Sequence, residues 1–243
     1  MLEGLYSAAA GMAAQQERLD AVSNDLANAN TPGYKHVRVA FRDLLYVSDG
    51  APGVAAGAGA AAWMDGRSFL QGALQQTDRP LDVALQGPGF LEVRRPDGTL
   101  ALTRAGSLEL DGRGRLVTGT GDILVGVRPV PKGVSGDRLS IGPDGTVRAP
   151  GGRSLGRLRI VDVRSPDNLQ PIGDNLFRAT AASGQPLAAR GTTLTQGALE
   201  SSNVDVANAM VDLMDAQRTY SLASRAIQFQ DQMLQVANEV KSS

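Results

Sequence analysis

Apolar residues recur at intervals of three and four at both ends of this chain. Leu2, Leu5, Ala9, Met12, Leu19, Val22 and Leu26 form one stripe broken only at Gln16, the spacing that puts side chains on one face of an α-helix. Val204, Ala207, Val211, Met214, Leu222, Ala226, Phe229, Met233 and Val240 form another, interrupted by Arg218. Val206, Met210, Leu213, Tyr220, Ile227 and Leu234 lie on a neighbouring face, so this second helix has more than one apolar surface to cover. Ser202 or Asn203 is the expected N-cap. A helix of about 37 residues is roughly 55 Å long at 1.5 Å per residue, longer than a small domain is wide. It needs partners, either the helix at the other end of the chain or copies from other molecules.

The first helix should end between Ala27 and Asn30, because Pro32 cannot donate a helical hydrogen bond and biases Thr31 away from helix. Short apolar runs occupy Lys35 to Val47, and Ser48 to Ala62 is nearly all Gly, Ala, Pro and Val, the composition of a loop or extended arm. From Leu74 to Ile160 short strands follow one another: Val83–Leu85, Phe90–Arg94, Leu100–Thr103, Ser107–Leu110, Arg115–Val117 and Ile123–Val125. Asp97-Gly98, Asp111-Gly112 and Asp144-Gly145 are dipeptides suited to tight turns, and such short connections imply a mainly antiparallel sheet. The expected class is α+β, with the terminal helices packed together and a central β domain. The segments divide into 1–34 (helix and turn), 35–70 (arm), 71–192 (β domain) and 193–243 (return strand and helix). Gln71-Gly72-Ala73-Leu74 returns as Gln196-Gly197-Ala198-Leu199, followed four residues on by Asp78 or Asn203. If that echo is structural, the outgoing and returning segments pair as similar strands.

Composition narrows the function. The 243 residues are 42% hydrophobic, enough for one or two packed domains. The 24 basic and 25 acidic residues are spread along the chain, so neither nucleic acid nor another charge-driven partner is expected. Without cysteine there is no disulfide, thiol nucleophile or thiolate metal site. Met1 to Ala14 include Glu3 and lack a basic n-region and a continuous apolar core, so they do not read as a secretory signal. Aromatic content of 4% beside 29 Gly and 12 Pro suggests a flat, β-rich body rather than a compact enzyme.

Catalytic constellations are not expected. His36 stands alone, with no second His or Cys to complete a metal set. Gly57 to Ala62 imitates a dinucleotide fingerprint only by being Gly-rich, and Gly87-Pro88-Gly89 leads into a strand rather than a helix N-terminus. Asp78, Asp82 and Glu92 are the candidates for an acid–base pair, but no Ser/His/Asp or metal constellation accompanies them and turn or surface roles explain each one. For a binding module, Trp63, Tyr34 and Tyr46 are the available aromatic platforms.

Five segments, in order, resemble the signatures of bacterial flagellar rod and hook proteins: Ser23 to Lys35 (SNDLANANTPGYK), Gln71 to Asp78 (QGALQQTD), Leu81 to Phe90 (LDVALQGPGF), Thr103 to Ser107 (TRAGS) and Gln196 to Asp205 (QGALESSNVD). The resemblance spans nearly the whole chain. Its length favours the rod members, since hook subunits carry additional outer domains. The resemblance implies a structural, non-enzymatic axial subunit, exported through the flagellar type III apparatus without signal cleavage, with no cofactor, metal or small-molecule substrate. Its implied partners are copies of itself, neighbouring rod and hook proteins, outer bushing rings and peptidoglycan. Leu5, Met12, Leu19, Leu26, Val211, Met214, Leu222, Phe229 and Met233 are the expected subunit contacts. Asn28, Asn30, Pro32 and Gly33 are expected to set the exit from the first helix.

Overall fold

The computed structural model describes residues 2–44, 47–48, 55–56 and 59–242, with side chains over 6–44, 59–233 and 235–236. The chain is α+β and divides into two units.

The helical unit comprises 1–27, 37–66 and 205–243. Helices α1 (Leu2–Ala27) and α2 (Val206–Ser242, 37 residues) lie side by side. Among the described side chains, none of the large apolar residues of the two stripes is fully buried. Among the described residues, Ala14 and Ala21 of α1 and Ala209 and Ala216 of α2, seven residues apart on each helix, are the buried apolar positions, and such small side chains let the two backbones approach closely. Met12, Leu19 and Leu26 are half-buried. Arg18 bridges the pair from α1, its guanidinium 2.6 Å from Asp212 and 3.3 Å from Asp215.

α2 begins two to three residues later than its pattern suggests. Asp205, not Ser202 or Asn203, caps it, its Oδ1 accepting the amides of Ala207 (3.0 Å) and Asn208 (3.1 Å). Among the described residues of the arm, Val37–Asp43 pairs with Ala60–Arg67, and Val47–Ser48 pairs antiparallel with Ala55–Ala56. Ala60 to Ala62 thus belong to a strand. Asp25 near the end of α1 accepts the amide of Val37 (3.1 Å), fixing where the first of these strands begins.

The β unit comprises 28–36 and 67–204. Phe90–Arg94 and Leu100–Thr103 form the central hairpin of its largest sheet. On one side follow Leu176–Arg178 and Gln170–Pro171; on the other Ile123–Leu124, Leu116–Thr118 and Leu108–Leu110, while Ile160–Asp162 joins Phe90–Arg94 to Leu187–Ala188. A three-stranded sheet is made by Ser140–Ile141, Thr146–Arg148 and Ser154–Arg157, and Thr193–Gln196 pairs with Val83–Gln86. These pairings are antiparallel, as the short turns require. The turns at Asp97-Gly98 and Asp144-Gly145 place positive φ at the glycine. At Asp111 the left-handed residue is Gly114 instead, because the Asp111 carboxylate accepts the amides of both Arg113 and Arg115 and shapes the loop from its first residue.

Leu85, Leu91, Val93, Leu108 and Val147 lie in the main core. A second core gathers Phe90 and Phe177, with Phe69 packed edge-on to both at 5.3 and 5.2 Å. Scarce aromatics are concentrated rather than absent.

Candidate functional site

The strands that continue from the two Gln-Gly-Ala-Leu segments pair, offset from the repeats themselves: Ala198–Glu200 runs antiparallel to Leu74–Gln76, with Leu199 opposite Gln75 and Glu200 opposite Leu74. In both copies the glutamine amide ties backbone together. Gln71 Nε2 donates to the Leu85 carbonyl (3.0 Å) while its Oε1 accepts the amide of Gly87 (3.1 Å). Gln196 Nε2 donates to the carbonyls of Pro80 (2.6 Å) and Leu139 (2.9 Å), and its Oε1 accepts the amide of Ile141 (3.0 Å).

At the end of this ribbon Glu200 is the centre of a buried charge cluster. Lys35 Nζ lies 2.6 Å from its Oε1, and Arg104 Nη1 lies 3.1 Å from its Oε2. Gly72 donates its amide to Oε1 (2.9 Å), and the Glu200 carbonyl accepts the amide of Gly33 (2.7 Å). The cations are themselves tied: Lys35 Nζ donates to the Leu70 carbonyl (2.7 Å), and Arg104 Nη2 to the Gly87 carbonyl (2.8 Å). The Lys35 and Glu200 side chains are 0% exposed and that of Arg104 is 3% exposed. Burial pushes the Lys35 ammonium below its usual range, opposed by its hydrogen bond and attraction to Glu200 and reinforced by repulsion from Arg104. Such a group is closed to solvent and substrate. What it does is hold the segments around 33–35, 70–72, 87, 104 and 200 in one geometry, since each charge is expensive to bury without its partners.

Neighbouring residues complete the junction. Asn203 Oδ1 accepts the amide of His36 (2.8 Å), and its Nδ2 donates to the carbonyls of Ser68 (2.8 Å) and Leu70 (3.1 Å). Gly33 has φ of 71°, and a Cβ there would stand 2.7 Å from the carbonyl carbon of Arg104. Thr31 donates its amide to the Asn28 carbonyl (3.0 Å) and Tyr34 its amide to that of Thr31 (3.2 Å), while Asn175 Nδ2 donates to the Pro32 carbonyl (3.3 Å). Asn30 is exposed.

The residues expected at subunit contacts are not gathered here. Val211, Met214, Leu222, Phe229 and Met233 lie along α2 and are between 59% and 69% exposed. Met12, Leu19 and Leu26 are on α1, and the side chain of Leu5 lies outside the described residues. Of the aromatic platforms, Tyr34 is buried beneath the Arg67 guanidinium, 5.1 Å from its ring, so it is not available to a ligand. Trp63 is half-exposed with Arg42 5.4 Å from its ring, and Tyr46 lies outside the described residues. The candidate carboxylates have local tasks: Asp82 accepts from the Thr77 hydroxyl (2.8 Å), Glu92 pairs with Arg159 (2.9 Å), and Asp78 accepts from the Gln76 amide (3.0 Å).

Lys35, Arg104 and Glu200 were not singled out from sequence. A signal was present, because each is a charge embedded in one of the family-like segments, two positive and one negative.

Three family descriptions match, and each contains one member of this cluster. "Flagella basal body rod protein" covers 5–35 with Lys35, "Flagellar hook protein FlgE/F/G D1 domain" covers 84–149 with Arg104, and "Flagellar basal body rod FlgEFG protein C-terminal" covers 195–240 with Glu200. The flagellar basal-body rod protein FlgG of Borreliella burgdorferi is 37% identical over 99% of both chains. Those of Caulobacter vibrioides (36%, over 99% of this chain and 100% of that one) and Bacillus subtilis (35%, over 97% of each) are similar throughout as well. This chain belongs to the flagellar basal-body rod protein family. It is a structural rod subunit of the flagellar basal body, in a family that is not one of enzymes. The alignment with the Borreliella rod protein extends over 263 positions, more than the 243 residues here, so that relative carries residues this rod protein lacks.

Proposed function

We propose that this rod protein is a distal-rod subunit that polymerises through its terminal helices into a helical tube, transmits torque from motor to hook, and catalyses nothing. The observation that carries the reading is the run of large apolar side chains left in solvent on α2, from Val211 to Met233. Each contributes roughly 1.5–3 kcal/mol when fully buried, which is a strong drive toward neighbouring helices. Contacts of this kind are heterologous and need not close, so they propagate a filament. Copies of the chain are the first partners, with neighbouring rod and hook proteins at the two ends of the segment. Similarity to proteins named FlgG favours the distal over the proximal rod. Leu5, Met12, Leu19, Leu26, Val211, Met214, Leu222, Phe229 and Met233 are the proposed contacts, and the turn through Asn28, Asn30, Pro32 and Gly33 sets the path out of α1. Export proceeds in an unfolded state.

The test is deletion of Met233 to Ser243 in the full chain, with amide exchange followed before and after assembly. The β unit is expected to stay protected while polymer formation is abolished; normal polymers from the truncated chain would overturn the proposal.

A further inference from the structure

The charged residues, spread along the chain, divide unequally between the two units. The β unit holds 18 lysines and arginines against 13 acidic residues, a formal charge of +5, whereas the helical unit holds 6 against 12, a formal charge of −6.

Three arginines of the β unit come together along the backbone of one small sheet. Arg128 Nη2 donates to the carbonyl of Ser154 (3.4 Å), and its amide donates to the carbonyl of Leu155 (2.9 Å), which brings it to the strand that follows Arg153. Arg148 stands opposite Ser154 in the same small sheet, and Ala149 donates its amide to the Arg153 carbonyl (2.9 Å). Arg128, Arg148 and Arg153 are therefore neighbours around one hairpin end, all exposed, and no carboxylate among the described residues lies within 4 Å of any of them. The helical unit exposes carboxylates on both helices. Glu17 and Asp20 of α1 and Asp205, Asp212 and Asp215 at the start of α2 are exposed, and Arg18 and Arg218 are the cations among them.

We propose that the Arg128–Arg148–Arg153 face of the β unit docks on the acidic face around Glu17 and Asp20 of a second copy of this chain. The occupant follows from complementarity: the same chain carries an excess of each sign, on separate units, of nearly equal size. A head-to-tail contact of that kind leaves a basic face free at one end of the polymer and an acidic face free at the other, so a further copy can always be added. Charged faces of opposite sign steer encounter and fix register more than they add affinity, and they are screened by salt. The apolar face of α2 then supplies adhesion and the charged faces supply orientation. This inference rests on the polymer reading.

The test measures the rate of assembly of the purified full chain at low and high salt. R128E/R148E/R153E is expected to slow assembly about tenfold or more at low salt and to flatten its salt dependence. E17K/D20K is expected to do the same, and placing all five substitutions in one chain should restore the rate, because each new contact again joins opposite signs. Circular dichroism confirming native helix and sheet in each variant separates loss of docking from loss of fold. An unchanged rate in the first variant overturns the inference while leaving the helix-driven polymer standing. Failure of the five-fold variant to recover also overturns it, because the basic face then has a different anionic partner. Should the chain fail to polymerise under any condition, both this inference and the polymer reading fall.

Discussion

Lys35 Nζ and Glu200 Oε1 are 2.6 Å apart within the β unit, joined across 165 residues of chain and sealed from solvent. Arg104 is the third member, so two cations share one carboxylate. Glu200→Gln leaves both cations buried without a counter-charge and is expected to cost about 3–5 kcal/mol of stability. Urea unfolding monitored on the β unit measures it; a loss under about 1 kcal/mol would show that the cluster relaxes by admitting water.

Gly33 occupies a left-handed conformation against the backbone of Arg104 and Ala105. Gly33→Ala is expected to destabilise by about 2 kcal/mol or more, since the added methyl meets both an unfavourable φ and immovable main chain. The same unfolding assay applies, and a neutral result would mean that the turn adopts another path.

The alanine seam between the helices predicts sensitivity to size rather than to apolarity. Ala216→Leu is expected to cost about 1–3 kcal/mol by forcing the helices apart, while the same change at exposed Gln217 stays near zero. Helix melting by circular dichroism compares the two. Equal effects would place the seam on another face.

Three hairpin turns should respond to acid. Hydrogen bonds from Thr99 hold Asp97 below its ordinary value of 3.8, those from Thr146 do so for Asp144, and amide and guanidinium donors from Arg115 do so for Asp111. Because the folded pKa is depressed, the stabilisation is present above about 3.8 and is lost as pH falls below it through the folded values. The D97N/D111N/D144N variant is expected to be less stable than the native chain at pH 6 and to lose less on going to pH 3. Parallel loss in both chains would count against these carboxylates.

Periodicity was sufficient for both helices because they are long and their apolar spacing is regular, and Pro32 marked the end of α1 correctly to within a few residues. Phe90–Arg94 and Leu100–Thr103 were legible to the residue, since Asp97-Gly98 turns the chain between two apolar runs. The start of α2 was misread because Asn203 and Asp205 are both good caps, and only the tertiary fold commits Asn203 to the amide of His36 and frees Asp205 for the helix. Ser48 to Ala62 reads as a loop or extended arm because Ala and Gly carry no strand pattern of their own, and the pairing of Ala60–Arg67 with Val37–Asp43 is not visible in that pattern.

By itself, the sequence determined the α+β class, the order of elements and the family, because those follow from local spacing and from segments long enough to be recognised. The tertiary structure alone decided which charges are buried together, which alanines form the helix seam and how charge divides between the units. Those properties depend on pairs such as Lys35 and Glu200 that are far apart along the chain. Nothing in the local pattern around either residue distinguishes a solvated charge from one held in the core until the fold brings its partner within reach.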